Sequence, residues 1–444
     1  MVFHRNLLGG ANGIEQQAGT AMAISGDRAQ QTRSLLPMTD LRLIIAQSLD
    51  TDQQFSIRLE QRGARTIYGW LRNRNDTIAE SLRELRDHYE HQLRAIRELA
   101  MAGIPVPPLD ERPLLDLGRH VTALLPPAIC QAIIKAARHA RLRRHHLRLV
   151  LEVTSEALSL LSIPWEIMAL PLGWGSQEGE GDECFLLLNA DITLIRQVQG
   201  VGVNVPLTLH HPLRLQAFAA TPLSVQPIDV HTTMEAIKRM QPTDQQDQHW
   251  YSGHDTLGVL LERLRASQPH IIHLVCHGEQ CNTGHRVPRY DLLLTHADGY
   301  MQRVGGADLA RAFTLAPSLQ LVILQACYAG ATTVSGSANG ANNQRIAESI
   351  ALTLVRSGVP TVIAMQSEVS QPTAASFVRA CYTSLASGVN LEQAVAAGRL
   401  AMRAAGGIVD WSLPVVYQGN RQLRETWHTP LTSQIRKFMA ARWR

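Results

Sequence analysis

The second half of the chain is built from short apolar runs that do not alternate with polar residues, and this constrains the fold more than any other feature. Ile271-Ile272-His273-Leu274-Val275-Cys276 and Leu321-Val322-Ile323-Leu324-Gln325-Ala326 are two of them. A strand with one wet face reads apolar, polar, apolar; a strand covered on both faces reads as a nearly continuous hydrophobic run. Such runs recur at 147–153, 213–219, 270–276, 319–325, 360–364 and 414–417. Stretches with an apolar stripe at helical spacing fall at 232–240, 256–266, 308–313, 344–356, 373–387 and 391–405. The alternation predicts an α/β fold: a mostly parallel sheet with helices on both faces. No fixed period recurs along the chain, which argues against a solenoid.

Upstream the pattern changes. Residues 1–38 are rich in Gly, Ala, Gln and Ser without a lasting hydrophobic period and read as a flexible leader. Two alternating segments, 41–46 and 55–59, flank the turn-forming Asp50-Thr51-Asp52 and predict a hairpin or sheet edge. Leu82, Leu85, Tyr89, Leu93, Ile96 and Leu99 are spaced by three and four, which predicts an amphipathic helix over 76–100. The four prolines of 103–113 predict an extended linker, and one helical stretch is expected from 114 to 142. The expected organisation is thus a leader (1–38), a smaller α+β strand–helix region for regulation or docking (39–110), a large α/β region (111–420, core from about 210) and a basic tail (421–444).

Composition narrows the partners. A 45% hydrophobic content over 444 residues suffices for a large core. With 42 basic and 38 acidic residues, the net charge of +4 calls for neither nucleic acid nor an anionic membrane. The densest basic run, 138–148, has no interleaved aromatic residues and reads as a solvated helix end rather than a phosphate contact. Ile435, Phe438, Met439 and Trp443 among C-terminal Arg and Lys read as packing or fraying, not as a membrane anchor. Neither a secretory signal nor an apolar run of about 18 residues is present, so a cytoplasmic location is expected. The six cysteines, 130, 184, 276, 281, 327 and 381, are scattered, as suits reduced thiols.

Two of the apolar runs end on reactive side chains. One leads into His277-Gly278 and the other into Cys327. In an open parallel sheet, the carboxyl ends of the strands are where ligands bind, so distant sequence positions converge there. A free thiol with a pKa of about 8.5 is mostly protonated at neutral pH and needs an imidazole to take its proton before it can attack a carbonyl. His277 and Cys327 supply that pair. The Gly278 and Cys327 amides are candidates for holding the oxyanion, and Gly278, lacking a side chain, lets a carbonyl approach. Cys276 should face the other way along its strand and belong to the core. Cys276, His277, Cys281 and His285 are clustered, but they lack a paired C-x2-C knuckle and zinc would occupy the base, so no metal or organic cofactor is expected. The Gly- and Ser-rich stretch 330–343 reads as a flexible loop after the nucleophile.

Gln325-Ala326-Cys327 with a histidine 50 residues upstream matches a known local mark of caspases, although the glycine that should follow comes later, at Gly330. Over about 110–420 the sequence more fully resembles the CHAT family of bacterial peptidases related to caspases and separases. The matching blocks are Pro164-Trp165-Glu166, the segment 185–196 ending Thr193-Leu194-Ile195-Arg196, His277-Gly278, Asp298-Gly299 with Asp308-Leu309, Cys327, Gly358-Val359-Pro360-Thr361-Val362, and Trp411-Ser412-Leu413-Pro414. The resemblance implies a caspase-like fold and a cysteine endopeptidase with a Cys/His dyad. It further implies a regulated role in bacterial defence or programmed death, with a protein substrate encoded nearby and an activating protein partner.

Caspases select an acidic residue with arginines, one of them after the strand that corresponds here to 360–364. This chain has Met365-Gln366-Ser367-Glu368 instead, so the resemblance leans towards a basic or neutral residue before the scissile bond. Gln325, Gln366 and Glu368 are the expected substrate-binding wall, with Asp298 a further acidic candidate. A catalytically silent scaffold or sensor of the same fold stays open at this point. A nucleotide-binding α/β protein ranks low, because neither a P-loop nor a Gly-x-Gly-x-x-Gly turn follows a strand.

Overall fold

A computed structural model describes residues 36–47, 55–71, scattered positions within 78–95, and 110–172, 183–202, 214–238, 255–281, 289–335, 345–387 and 389–420. Its centre is one ten-stranded sheet. The strands are β1 (Met38–Gln47), β2 (Phe55–Gln61), β3 (Ile67–Trp70), β4 (His146–Val153), β5 (Ile192–Val198), β6 (Leu215–Ala219), β7 (Ile271–Val275), β8 (Leu321–Gln325), β9 (Thr361–Met365) and β10 (Pro414–Gln418). Their spatial order is β3-β2-β1-β4-β5-β10-β9-β8-β7-β6. β1, β4, β5 and β10 run parallel to one another. So do β9, β8, β7 and β6. The two sets meet in opposite directions at the antiparallel β10–β9 pair, and β2 and β3 extend the far edge as antiparallel strands.

The mostly parallel sheet expected from the unalternated runs is therefore present. β4, β7, β8, β9 and β10 are buried along their whole lengths, as coverage of both faces requires. The covering helices are α1 (Arg112–Ala123), α2 (Pro127–Arg143), α3 (His231–Lys238), α4 (Leu257–Ser267), α5 (Gly306–Phe313), α6 (Ile350–Arg356), α7 (Gln371–Ala386) and α8 (Leu391–Ala404). No single helix among the described residues is long and apolar enough to cross a membrane.

The structure departs from the sequence reading in several places. The helix expected over 114–142 is two helices, because Pro127 bars Pro126 from helical geometry and holds its ψ at 142°. The helix expected from 344 begins at Ile350, where the Ser349 hydroxyl accepts the Leu352 N–H at 3.1 Å. Arg345–Ala347 instead pairs with Thr333–Ser335. A second, three-stranded sheet of His277–Cys281, Arg289–Thr295 and Met301–Gly305 comes after β7. The turn at 50–52, the tail 421–444, His285, and most of the leader, of the linker and of the Gly-rich loop after Cys327 lie outside the described residues.

One fully buried ion pair sits where the two strand sets meet. Arg196 on β5 donates through Nε to Glu166 Oε1 at 3.0 Å, and its Nη2 pairs with the other carboxylate oxygen. It also donates to the Leu161 and Ile163 carbonyls, at 2.7 and 3.3 Å, and to Gln366 Oε1 at 3.3 Å. Its guanidinium lies 5.9 Å from the Tyr417 ring centre, and Tyr417 is its ladder partner on β10. Trp165 is locked beside it by a 2.8 Å bond to the Leu160 carbonyl. The Pro-Trp-Glu block thus owes its residue types to packing and charge neutralisation.

Removing one partner of such a pair strands the other charge in the core, at about 3–5 kcal/mol. We therefore expect Glu166→Ala to lose that much unfolding free energy in urea, and Glu166→Leu combined with Arg196→Met to lose much less. A loss below about 1 kcal/mol in the single variant would contradict this account. Two buried histidines add a pH dependence. Burial lowers His273 to about 4, and burial with help from Arg148 lowers His146 to about 3. Their ordinary value is about 6.5, so on acidification the unfolded chain takes up these protons first. Stability is fully present above about pH 6.5 and falls as the pH drops through that value towards 4. In equilibrium unfolding across this range, His273→Gln should show a shallower fall than the parent chain.

Candidate active site

The end of β7 and the end of β8 are neighbours, since Val275 pairs with Gln325 in parallel register. Backbone geometry holds the residues just past each strand. The Gly278 Cα lies against the Cys327 backbone, so closely that a Cβ there would overlap the Cys327 carbonyl. Only glycine fits. Because Gly278 directly follows His277, this contact gathers His277, Gly278 and Cys327 at the carboxyl edge of the sheet. Both reactive side chains are partly exposed, whereas Cys276 is buried, as its opposite facing predicts. Burial, with the nearby Cys327 thiol, raises the Cys276 thiol far above its ordinary range and leaves it inert.

The chain turns sharply after Cys327. Tyr328 takes a left-handed conformation with φ of 59°, unusual for a residue other than glycine and costing about 1–2 kcal/mol. Neighbours hold it there. Its N–H reaches the Ser367 carbonyl at 3.4 Å, its hydroxyl donates to Glu368 Oε1 at 2.9 Å, and its carbonyl accepts the Ala331 N–H at 3.0 Å. Gly330 then donates to the Met365 carbonyl at 2.8 Å, so the turn after Cys327 is stitched to the end of β9.

The imidazole has a partner that no sequence pattern reveals. His277 Nε2 lies 2.6 Å from the Gln226 carbonyl oxygen. A carbonyl only accepts, so Nε2 carries the hydrogen and Nδ1 keeps its lone pair. This is the tautomer a general base needs. The Gln226 segment is itself fixed on two sides. Leu223 N–H donates to the Gly299 carbonyl at 2.9 Å, and Met301 N–H donates to the Ser224 hydroxyl at 3.1 Å. On the other side, Gln371 at the start of α7 accepts the Asp229 N–H and donates to the Pro227 carbonyl.

The four residues expected to bind substrate fall in different places. Gln366 lines a cleft beside Tyr328, together with Gln280 and Ser367, and is anchored by Arg196, Glu166 and the Ser412 carbonyl. Gln325 does not line it. As part of β8 it is buried on the sheet face, where it bonds to His273 at 3.2 Å and to Thr233 of α3 at 3.2 Å, while His273 meets the Tyr382 hydroxyl at 2.9 Å. Glu368 is exposed just beyond the cleft and engaged by Tyr328. Asp298 closes an exposed turn by accepting the Tyr300 N–H at 3.0 Å and pairing with His296, and so supports the Gly299 carbonyl that holds Leu223.

Comparison with known proteins bears on the family. No curated protein matches the chain. Among solved structures, the Saccharomyces cerevisiae separase–securin complex is similar with a TM-score of 0.45 and 11% identity, covering 90% of this chain but only 31% of that one. The complex of Porphyromonas gingivalis RgpB pro- and mature domains is similar with a TM-score of 0.40 and 12% identity, covering 69% of this chain and 72% of that one. Likenesses this distant assign no activity. The family model described as the CHAT domain matches residues 117–420, well over half of the sequence, and the chain belongs to that family.

Proposed function

We propose that this protein is a cysteine endopeptidase in which Cys327 is the nucleophile and His277 the general base. The observation that carries this reading is the close contact of Gly278 with the Cys327 backbone, which assembles thiol and imidazole residues from separate strands. The Gln226 carbonyl supports it by leaving Nδ1 as the basic nitrogen.

The chemistry uses these groups in turn. His277 Nδ1 takes the Cys327 proton, and the thiolate attacks the carbonyl carbon of the scissile peptide bond. The electron pair displaced onto oxygen rests against the Gly278 and Cys327 amides. Nδ1 returns its proton to the departing amine as the C–N bond breaks, leaving a thioester. Water, deprotonated by the same nitrogen, then attacks the thioester, releases the carboxylate product and restores the thiol. The Gln226 carbonyl steadies the imidazolium formed in each half, and no metal or organic cofactor takes part. The substrate is a partner protein. Family membership supports a regulated role in bacterial defence or programmed death. Residues 39–110, which precede the family match, would serve regulation or docking, and the cytoplasm would be the site of action.

Fluorogenic peptides differing in the residue before the scissile bond, presented to the full chain with and without candidate partner proteins, test this. Cys327→Ala and His277→Ala should each lower turnover by at least about 10³-fold while the fold is retained. Gly278→Ala should lower it by about 10²-fold, because displacing the base from the thiol by even an ångström is costly. Silence of the wild-type chain towards every peptide and partner would favour a scaffold instead.

A further inference from the structure

Both ends of the His277–Gln226 hydrogen bond are anchored on α7. At the helix start, the Gln371 carboxamide grips the Gln226 segment twice: Oε1 accepts the Asp229 N–H at 3.1 Å, and Nε2 donates to the Pro227 carbonyl at 3.4 Å. About three turns further along, the Tyr382 hydroxyl meets Nδ1 of the buried His273 at 2.9 Å. His273 belongs to β7, the strand that runs into His277. Its Nε2 lies 3.2 Å from Gln325 Oε1, and Gln325 bonds in turn to Thr233 of α3, the helix that follows the Gln226 segment. One helix is thus the common reference for the imidazole and for the carbonyl it meets.

The sequence of the gripped segment makes the hold effective. A carbonyl aims at a hydrogen only if its peptide plane is fixed, and Gln226 is followed by Pro227. The proline ring disfavours helical backbone at Gln226 and locks φ of Pro227 itself at about −65°. Between the Gln226 carbonyl and the Pro227 carbonyl, one soft torsion is then left, ψ of Pro227. Gln371 Nε2 holds the second of these carbonyls, and Oε1 holds the adjoining plane through the Asp229 N–H. Upstream, the Ser224 hydroxyl takes the Met301 N–H, two residues away from the carbonyl that faces His277. Gln371 is exposed, so its hydrogen bonds can be removed without opening a cavity.

We propose that Gln371 is a positioning residue: through Pro227 it aims the Gln226 carbonyl at His277 Nε2 and so keeps the imidazole in the tautomer whose Nδ1 is basic. The catalytic consequence rests on the peptidase reading above. A chain released from this hold populates the other tautomer, with its hydrogen on Nδ1, which leaves no lone pair there to take the Cys327 proton. Such a chain binds peptide as before but turns it over more slowly, so the effect falls on kcat and not on KM.

Magnetic resonance of the full chain, isotope-labelled at the histidine nitrogens and with the His277 signals assigned by their loss in His277→Ala, reads the tautomer directly. In the parent chain the neutral imidazole should carry its hydrogen on Nε2 alone. Gln371→Met keeps the side-chain length and removes both hydrogen bonds. It should give a mixture of the two tautomers and lower kcat about five- to tenfold, with KM unchanged within about twofold. Pro227→Ala should act in the same way, and the double variant should fall little below either single one, because both release the same peptide plane. An unchanged tautomer in Gln371→Met, whatever happens to kcat, would overturn the proposal and leave the peptidase reading standing, as would additive losses in the double variant. If the tautomer changes in Gln371→Met while the parent chain cleaves no peptide or partner protein, the peptidase reading falls and the orienting role of Gln371 stands.

Discussion

The buried Arg196–Glu166 pair is the constraint around which this molecule is arranged. A guanidinium with no exposure must be neutralised and must place its donors, and Arg196 places them on Glu166, two carbonyls of 161–163 and Gln366. Those partners belong to parts of the chain that otherwise only abut: the segment before the Trp165 turn, strand β5 of one strand set, and the end of β9 in the other. Its ladder partner Tyr417 lies on β10, the strand that joins the sets. The carbonyl of Ser367, next to Gln366, takes the Tyr328 N–H. One charge pair is thus two residues removed from the turn that follows Cys327.

A second constraint is steric. Gly278 and Cys327 lie just past different strands, and their backbones touch with no room for a side chain. Side-chain rotamers can relax, but a backbone contact at the ends of adjacent parallel strands moves only if the strands do. Thiol and imidazole residues therefore inherit the rigidity of β7 and β8, whose residues are all buried. The Gln226 carbonyl adds orientation to this proximity, and it comes from a loop tied both to the small sheet and to α7.

Much of this was legible in the sequence for a physical reason. Strands buried on both faces cannot hide their composition, so six of the ten were visible as unbroken apolar runs, with His277 and Cys327 just past the ends of two of them. The edge strand Ile67–Trp70 was not, because it is short and half-wet, and neither was His277–Cys281, whose residues are nearly all polar. Gln226 could not be read at all. It acts through its backbone carbonyl, which every residue type possesses. The bonds of Gln325 to His273 and Thr233 were not legible either, because proximity to the cysteine in sequence says nothing about which face of a strand a side chain takes. The Pro-Trp-Glu and Thr-Leu-Ile-Arg blocks were recognisable by resemblance, but pairing them as opposite charges needed the fold.

The order of the strands also sets a distance. β3, the outermost strand at the N-terminal edge, presents Tyr68 and Trp70 to solvent, and seven strand-to-strand steps separate it from β8. At about 4.8 Å a step, that is roughly 34 Å. A molecule docking on that rim is out of reach of Cys327, so whatever it reports to the thiol must cross the junction at β10 and β9, where strand direction reverses. Within the sheet, the exposed aromatic rim and the Cys327 edge therefore lie on opposite sides of that reversal, and a change confined to one of them leaves the strands of the other in place.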